Sequence, residues 1–243
     1  MSYLKLKSLS VVVCAVLVGA CSKSSDVATQ PSQQAQQAQQ QANTGSLPQA
    51  NFNTPDTAYV MLTDSTQLMY LYAAFSGMPP DYDRMASAMS QDYRSASDEF
   101  KKHDMLAALK PKIDAGIADA KAHPYVIFND NRPQIGHYDF QRKAFPVGDA
   151  LFQANGYVQL PGSAQYELTV TNGQVFQQLH VPDESLAKTV EALVSQNTNF
   201  SLRIYAFVQS TDDSSSPVVK AQITKVDLLG ANGQVLLQVV TPH

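Results

Sequence analysis

From Thr54 to Ala122 apolar side chains recur at steps of three and four, whereas from Tyr125 to Val240 they tend to alternate. The first spacing is the period of a helix and the second that of a strand, so a helical part precedes a sheet part. Thr54-Pro55 offers an N-cap followed by proline at the first helical position, and Tyr59, Leu62, Met69, Tyr72 and Phe75 then share a helical face as far as Gly77 and Pro79-Pro80. A second helix is expected from Asp81, where Tyr82, Met85, Ala86, Met89, Tyr93, Ala96 and Phe100 form the clearest stripe in the chain. Leu106, Leu109, Ile113 and Ile117 extend it across Pro111, which must kink the helix or start a new one, and His123-Pro124 closes the helical half. A Met and Tyr stripe is a conceivable ligand face, but at this spacing core packing is its plainer use.

Strands are expected at Tyr125 to Phe128, Ile135 to Phe140, Tyr166 to Val170 and Val175 to Leu179, with Asn172-Gly173 turning a hairpin between the last two. Pro182-Asp183-Glu184 opens a short helix with Leu186, Val190, Leu193 and Val194 on one side. Phe200, Leu202, Ile204, Ala206 and Val208 alternate with a mixed face, and a strand over about 218 to 229 turns at Asn232-Gly233 into a last strand over 234 to 240. The order, helices first and then ββαβββ, predicts an α+β domain over residues 54–243, with its helices on one face of a mainly antiparallel sheet.

The first fifty residues follow another pattern. Lys5 and Lys7 precede the uncharged run Ser8 to Ala20, the plan of a secretory signal peptide over residues 1–20. As a helix this run rises about 20 Å against a bilayer core of roughly 30 Å, too short to span. Residues 21–53 then lose nearly every apolar side chain larger than Ala and run through Gln33 to Ala42 as Gln and Ala, which predicts a disordered tether.

Composition narrows the chemistry. Removal of residues 1–20 takes two of the 17 basic residues and none of the 21 acidic ones, lowering the net charge from −4 to about −6. With no basic run either, nucleic acid is not an expected partner. Both cysteines, Cys14 and Cys21, lie in the N-terminal segment, so the globular part has no disulfide, zinc-cysteine site or cysteine nucleophile. No glycine-rich phosphate loop, G-x-S-x-G or H-E-x-x-H motif occurs, and no cofactor is expected. His137-Tyr138-Asp139 is the nearest approach to a site: on a strand, His137 and Asp139 share a side, as a metal pair or a general base would. Two ligands do not make a metal site, and no metal is expected. Residues 125 to 166 are rich in Tyr and Phe, either as core or as a groove for carbohydrate or peptide.

Two resemblances add to this reading. Leu17-Val18-Gly19-Ala20-Cys21 resembles the lipobox of bacterial lipoproteins, with Gly19 where Ala or Ser is more usual. The resemblance implies diacylglycerol transfer to the Cys21 thiol and cleavage after Ala20; the plainer alternative is an ordinary signal peptide with an incidental cysteine. Ser22 after the cysteine resembles the outer-membrane sorting pattern, which implies a periplasm-facing outer-membrane anchor ahead of an inner-membrane one. Further on, Phe100 to Ala122, Tyr138-Asp139-Phe140 and Phe145-Pro146 are similar to an uncharacterised family of bacterial envelope proteins, a domain of unknown function, which implies no activity and no catalytic residue. The expectation is therefore a membrane-anchored envelope lipoprotein whose domain binds an envelope protein or cell-wall partner without catalysis. The alternatives are an enzyme acting on an envelope polymer through His137, Tyr138 or Asp139, and a small-ligand carrier.

Overall fold

The computed structural model describes residues 46–213 and 216–241. The signal segment, Cys21 and the tether as far as residue 45 lie outside the described residues.

Local capping decides where the helices start. Helix α1 (Ser65–Phe75) begins at Asp64, whose carboxylate accepts the amides of Thr66 and Gln67 at 2.7 and 3.3 Å while Gln67 Oε1 accepts the Asp64 amide at 3.2 Å. This reciprocal box satisfies donors that a helix end leaves open. The helix thus starts later than the Thr54-Pro55 signal suggested. Asp56–Ala58 make a single 3-10 turn, and Val60–Met61 form strand β1, because the sheet captures this backbone: Leu62 donates to Ile127 O at 2.7 Å. Helix α2 (Tyr82–Met89) does follow Asp81, but the long stripe is cut twice. Ser90 caps α3 (Gln91–Ser95) by accepting the Tyr93 amide, and Asp98 caps α4 (Glu99–Ala122) by accepting that of Lys101. The two breaks rotate Phe100 off the core face, where it is 86% exposed. Pro111 starts no new helix; α4 runs through it on an exposed stretch, where one amide bond is forgone.

The main sheet places β1, β2 (Tyr125–Asp130), β7 (Ser201–Asp212), β8 (Val218–Leu229), β5 (Glu167–Val170) and β4 (Tyr157–Gln159) in that order, with β9 (Val235–Val240) also on β8. The expected meander β7-β8-β9 is antiparallel throughout, its last turn closing at Gly233 with φ +74°. Two pairings, β1 with β2 and β5 with β8, are parallel. The Asn172-Gly173 hairpin does not form. Residues Gly173–Gln177 wind into a 3-10 turn, and strand β6 (Gln178–His180) pairs instead with β3 (Ala144–Pro146) in a separate two-stranded sheet. Asn172 has a different use: its side-chain amide donates to Ile223 O at 2.9 Å and accepts the Ile223 amide at 2.8 Å, extending β5 along β8. Ile135 to Phe140 is likewise no strand, making only the isolated bridges Ile135↔Val147 and Asp139↔Ala144.

The sheet is covered on both faces. Leu202, Ile204, Ala206 and Val208 of β7 join Leu68, Met69 and Leu71 of α1, Met85 of α2, Ile113 of α4 and Val190 of α5 (Glu184–Ser195) in one core. Each of these Leu, Ile, Val and Met side chains, fully buried, contributes about 1.5–3 kcal/mol. The result is an α+β domain with its helices over one face of a mainly antiparallel sheet. The opposite face carries Tyr125, Tyr205 and Phe207, and residues 46–59 lie across it. The Ala50 amide donates to Gln222 Oε1, the Asn51 amide to Tyr125 OH, and Tyr59 packs edge-on against Tyr125 and Tyr205 at 5.2 Å. These contacts join the residues from Ser46 onward to the compact unit that holds the sheet.

One staple joins α1 to the segment before β5. The Ser65 amide donates to Pro161 O, and the buried Ser65 Oγ accepts the Ala164 amide at 3.1 Å. Gly162 (φ +137°) passes so close that a Cβ there would collide with Ser65 Oγ. Ser65→Ala leaves a buried amide without an acceptor and should cost about 1–3 kcal/mol, read as a lower urea midpoint at unchanged slope. Gly162→Ala should cost more, since it adds a collision and a strained backbone.

Candidate functional site

The Ser65 staple sets Tyr166, at the foot of β5, against the C-terminal part of α1. Tyr166 is 5% exposed, its ring centroid 5.3 Å from that of Tyr72. Pro79-Pro80 ends the connection from α1 and Asp81 caps α2, so the first turn of α2 carries Arg84 over the same ring, its guanidinium 5.1 Å from the Tyr166 centroid. Together these elements enclose a cleft of about 530 Å³ lined by Tyr72, Met78, Pro79, Asp81, Arg84 and Tyr166, to which Asp213 and Pro217 also contribute. A smaller hollow of about 180 Å³, lined by Arg84, Arg94, Ser163 and Gln165, adjoins it across Arg84 and Tyr166.

The electrostatics of the cleft are mixed. Burial pushes the Tyr72 phenol above its ordinary range, Asp213 adds to the shift and Arg84 opposes it. Burial likewise raises Tyr166, again opposed by Arg84. Both hydroxyls therefore stay protonated at neutral pH and serve as hydrogen-bonding groups. Among the described residues the Arg84 guanidinium has the Tyr166 face beneath it and no hydrogen-bond or ion-pair partner. Stacked on an aromatic ring with its donor fork open, an arginine is pre-organised for a carboxylate or phosphate.

A second hollow, of about 190 Å³, lies under Tyr70 and is lined by Val60, Leu62, Leu71, Ala120 and Val126. It has the apolar lining of a carrier site, but sites for ordinary small ligands measure roughly 300–1,000 Å³, a range the larger cleft alone reaches of the two.

The sequence-predicted trio does not form a site. Asp139 is spent on a turn, accepting the amides of Gln141 and Arg142 and pairing with Arg142 Nη1 at 3.0 Å. The Arg142 amide leads the bonds that hold its carboxyl below the usual range. His137 binds Glu191 of α5 at 2.7 Å, and the Tyr138 amide takes the other Glu191 oxygen at 2.9 Å. Burial acts to raise Glu191, yet the bonds from Tyr138, His137 and Ser195 prevail and keep it low. Without a strand here, His137 and Asp139 have separate partners, and no group of three His, Cys, Asp or Glu suited to a metal occurs among the described residues. Of the aromatics between 125 and 166, Phe140 is 84% exposed, whereas Phe128, Phe145, Phe152 and Tyr166 are core.

Sequence reasoning missed the cleft. It placed Tyr72 and Tyr166 in apolar stripes and left Arg84 among the polar positions of α2. The only sequence signal was a cation just after Pro79-Pro80-Asp81 in an acidic chain, and its stacking partner lies far along the sequence. It also missed Asp149, which caps a 3-10 turn at Ala150–Phe152; burial and a hydrogen bond with Asp130 push its carboxyl up to about 7. Comparison with protein-family models, curated proteins and solved structures returned no match.

Two outcomes follow from this geometry. Arg84→Ala should leave the unfolding midpoint nearly unchanged, within about 0.5 kcal/mol, since the side chain is exposed and lacks a polar partner. Asp149 has a folded pKa above its unfolded value, so its contribution to stability is full in acid and is lost as pH rises through about 7. Asp149→Asn keeps the acceptor for the Leu151 amide and removes the second charge beside Asp130. It should raise the melting temperature relative to the unsubstituted protein at pH 8 and change it little below about pH 4, where the carboxyl is protonated in both states, as scanning calorimetry at the two pH values would record.

Proposed function

We propose that this chain is a lipid-anchored protein of the bacterial cell envelope, attached through Cys21, whose domain is a non-enzymatic module binding the cell wall in the cleft between Tyr72, Arg84 and Tyr166. The anchor rests on the lipobox-like Leu17 to Cys21 and the charged, then apolar, segment before it. No helix among the described residues is long and apolar enough to cross a membrane. Two or three acyl chains suffice, because each buried CH₂ contributes about 0.8 kcal/mol. Ser22 favours the outer membrane, facing the periplasm. The residues from Ser22 to Gly45, if extended, reach about 80 Å, ample to bring the domain to the wall.

The observation that carries the binding role is the open Arg84 fork stacked on Tyr166 inside a cleft large enough for a short peptide or sugar. The enzyme reading has no comparable support, since its three residues are engaged in turn formation and in holding α5.

The test is retention on isolated, protein-free sacculi together with membrane fractionation. The intact protein should sediment with both, and Cys21→Ala should leave the membrane fraction while keeping its hold on sacculi. Arg84→Ala should stay in the membrane fraction and lose at least fivefold in sacculus binding. Equal sedimentation of all three proteins with sacculi would refute the cleft as the binding site.

A further inference from the structure

The cleft presents charges of both signs, and this restricts what fits it. On one side stands the Arg84 guanidinium, its fork unoccupied above Tyr166. Asp81 and Asp213 stand in the same lining. Asp81 uses one carboxylate oxygen on the Arg84 amide as a helix cap, and Asp213 is exposed at the rim. A ligand that is only anionic gains Arg84 and is repelled by both carboxylates, whereas one that is only cationic meets the reverse. A neutral sugar offers Arg84 hydroxyl acceptors but no opposite charge. The same lining holds Tyr72, Tyr166, Met78 and Pro79, which offer an aliphatic or flat ligand stem apolar contact.

Resting on the reading of this cleft as the ligand site, we infer that it takes a zwitterionic α-amino-acid group: the carboxylate on the Arg84 fork, the ammonium toward Asp213 and Asp81, and the aliphatic stem against Tyr72 and Tyr166. An ordinary peptide end carries one of the two charges. A free amine and a free carboxylate on one carbon occur in free amino acids and at the side-chain end of a diamino acid within a peptide, as in wall peptides containing diaminopimelate. The volume of about 530 Å³ admits such a group with part of the peptide behind it. Arg84 and Asp213 sit on separate elements, the first on α2 and the second after β7.

The test is calorimetric titration of the full-length protein in detergent with a tripeptide ending in meso-diaminopimelate, and with the same peptide either acetylated on the amine or amidated on the carboxylate of the diaminopimelate carbon that bears both. Free meso-diaminopimelate serves as a further probe to separate a peptide source from a free amino acid; tighter binding of either source supports the inference. Each blocked form should bind at least tenfold more weakly than the open one. Arg84→Ala should remove the discrimination against the amide, and Asp213→Asn the discrimination against the acetylated form; both positions are exposed, and an unchanged melting temperature certifies the fold. Equal binding of all three peptides, abolished by Arg84→Ala, would overturn the zwitterion and leave the cleft standing as a site. Peptide binding indifferent to Arg84→Ala would overturn both, as would absence of binding combined with sacculus retention that ignores Arg84. Absence of peptide binding with retention still dependent on Arg84 would overturn the zwitterion alone.

Discussion

Strand β8 holds three strands along two edges, and the remainder of the domain is arranged around that division. One edge pairs with β7 over nearly its whole length; the other pairs in parallel with β5 over Val218 to Ala221 and in antiparallel with β9 over Lys225 to Leu229. At the join, the side chain of Asn172 bonds both backbone groups of Ile223, and Thr241 donates from its amide to Thr224 O and from its hydroxyl to Ile223 O. A fork in a sheet would otherwise expose buried backbone groups, each costing about 1–3 kcal/mol if left unpaired. Two polar side chains at the branch remove that cost and let β5 run alongside β8 instead of folding back as a hairpin.

The position of β5 determines the position of Tyr166, and through it the cleft. Tyr166 immediately precedes β5, and the chain just before it is held to the first turn of α1 by Ser65. Tyr72 is on the same helix two turns later, and α2 follows after the Pro79-Pro80 corner. The aromatic floor and the cation above it thus come from three elements that the fork, the staple and the corner bring together. Their separation is not adjustable by one side chain, which is the property a charge-selective site needs.

The second face of the sheet shows a different economy. Tyr205, Phe207 and Tyr125 leave it mixed in character, neither polar enough for water nor apolar enough to pack helices. Residues 46–59 cover it with hydrogen bonds from Ala50 and Asn51 and with Tyr59 and Asp56, the last paired to Lys225 at 2.6 Å. A segment poor in large apolar side chains still orders here, because its backbone amides find acceptors on a surface already folded.

Much of the architecture was legible in the amino-acid order. The change of period near Pro124 separated helices from sheet, Asp81 and Asp183 marked helix starts, and Asn232-Gly233 marked the last turn. These are local effects, settled by neighbours within a turn or two. Where a local signal had a distant competitor it misled: Thr54-Pro55 lost to the edge of β2, Asn172-Gly173 to Ile223, and the alternation of Ile135 to Phe140 to a turn closed by Asp139 and to Glu191 on α5. The cleft belongs wholly to the second kind. Its residues carry ordinary signals singly, and their meaning depends on separations set by the fork in the sheet. The sequence by itself determined the class of fold, the broad succession of helices and then strands, and the lipobox-like N-terminus, since those depend on periodicity and short motifs. Only the tertiary structure decided which tyrosines became a floor, and that Arg84 stands over one of them without a polar partner, because contact between distant residues is a property of the packed chain and of no segment within it.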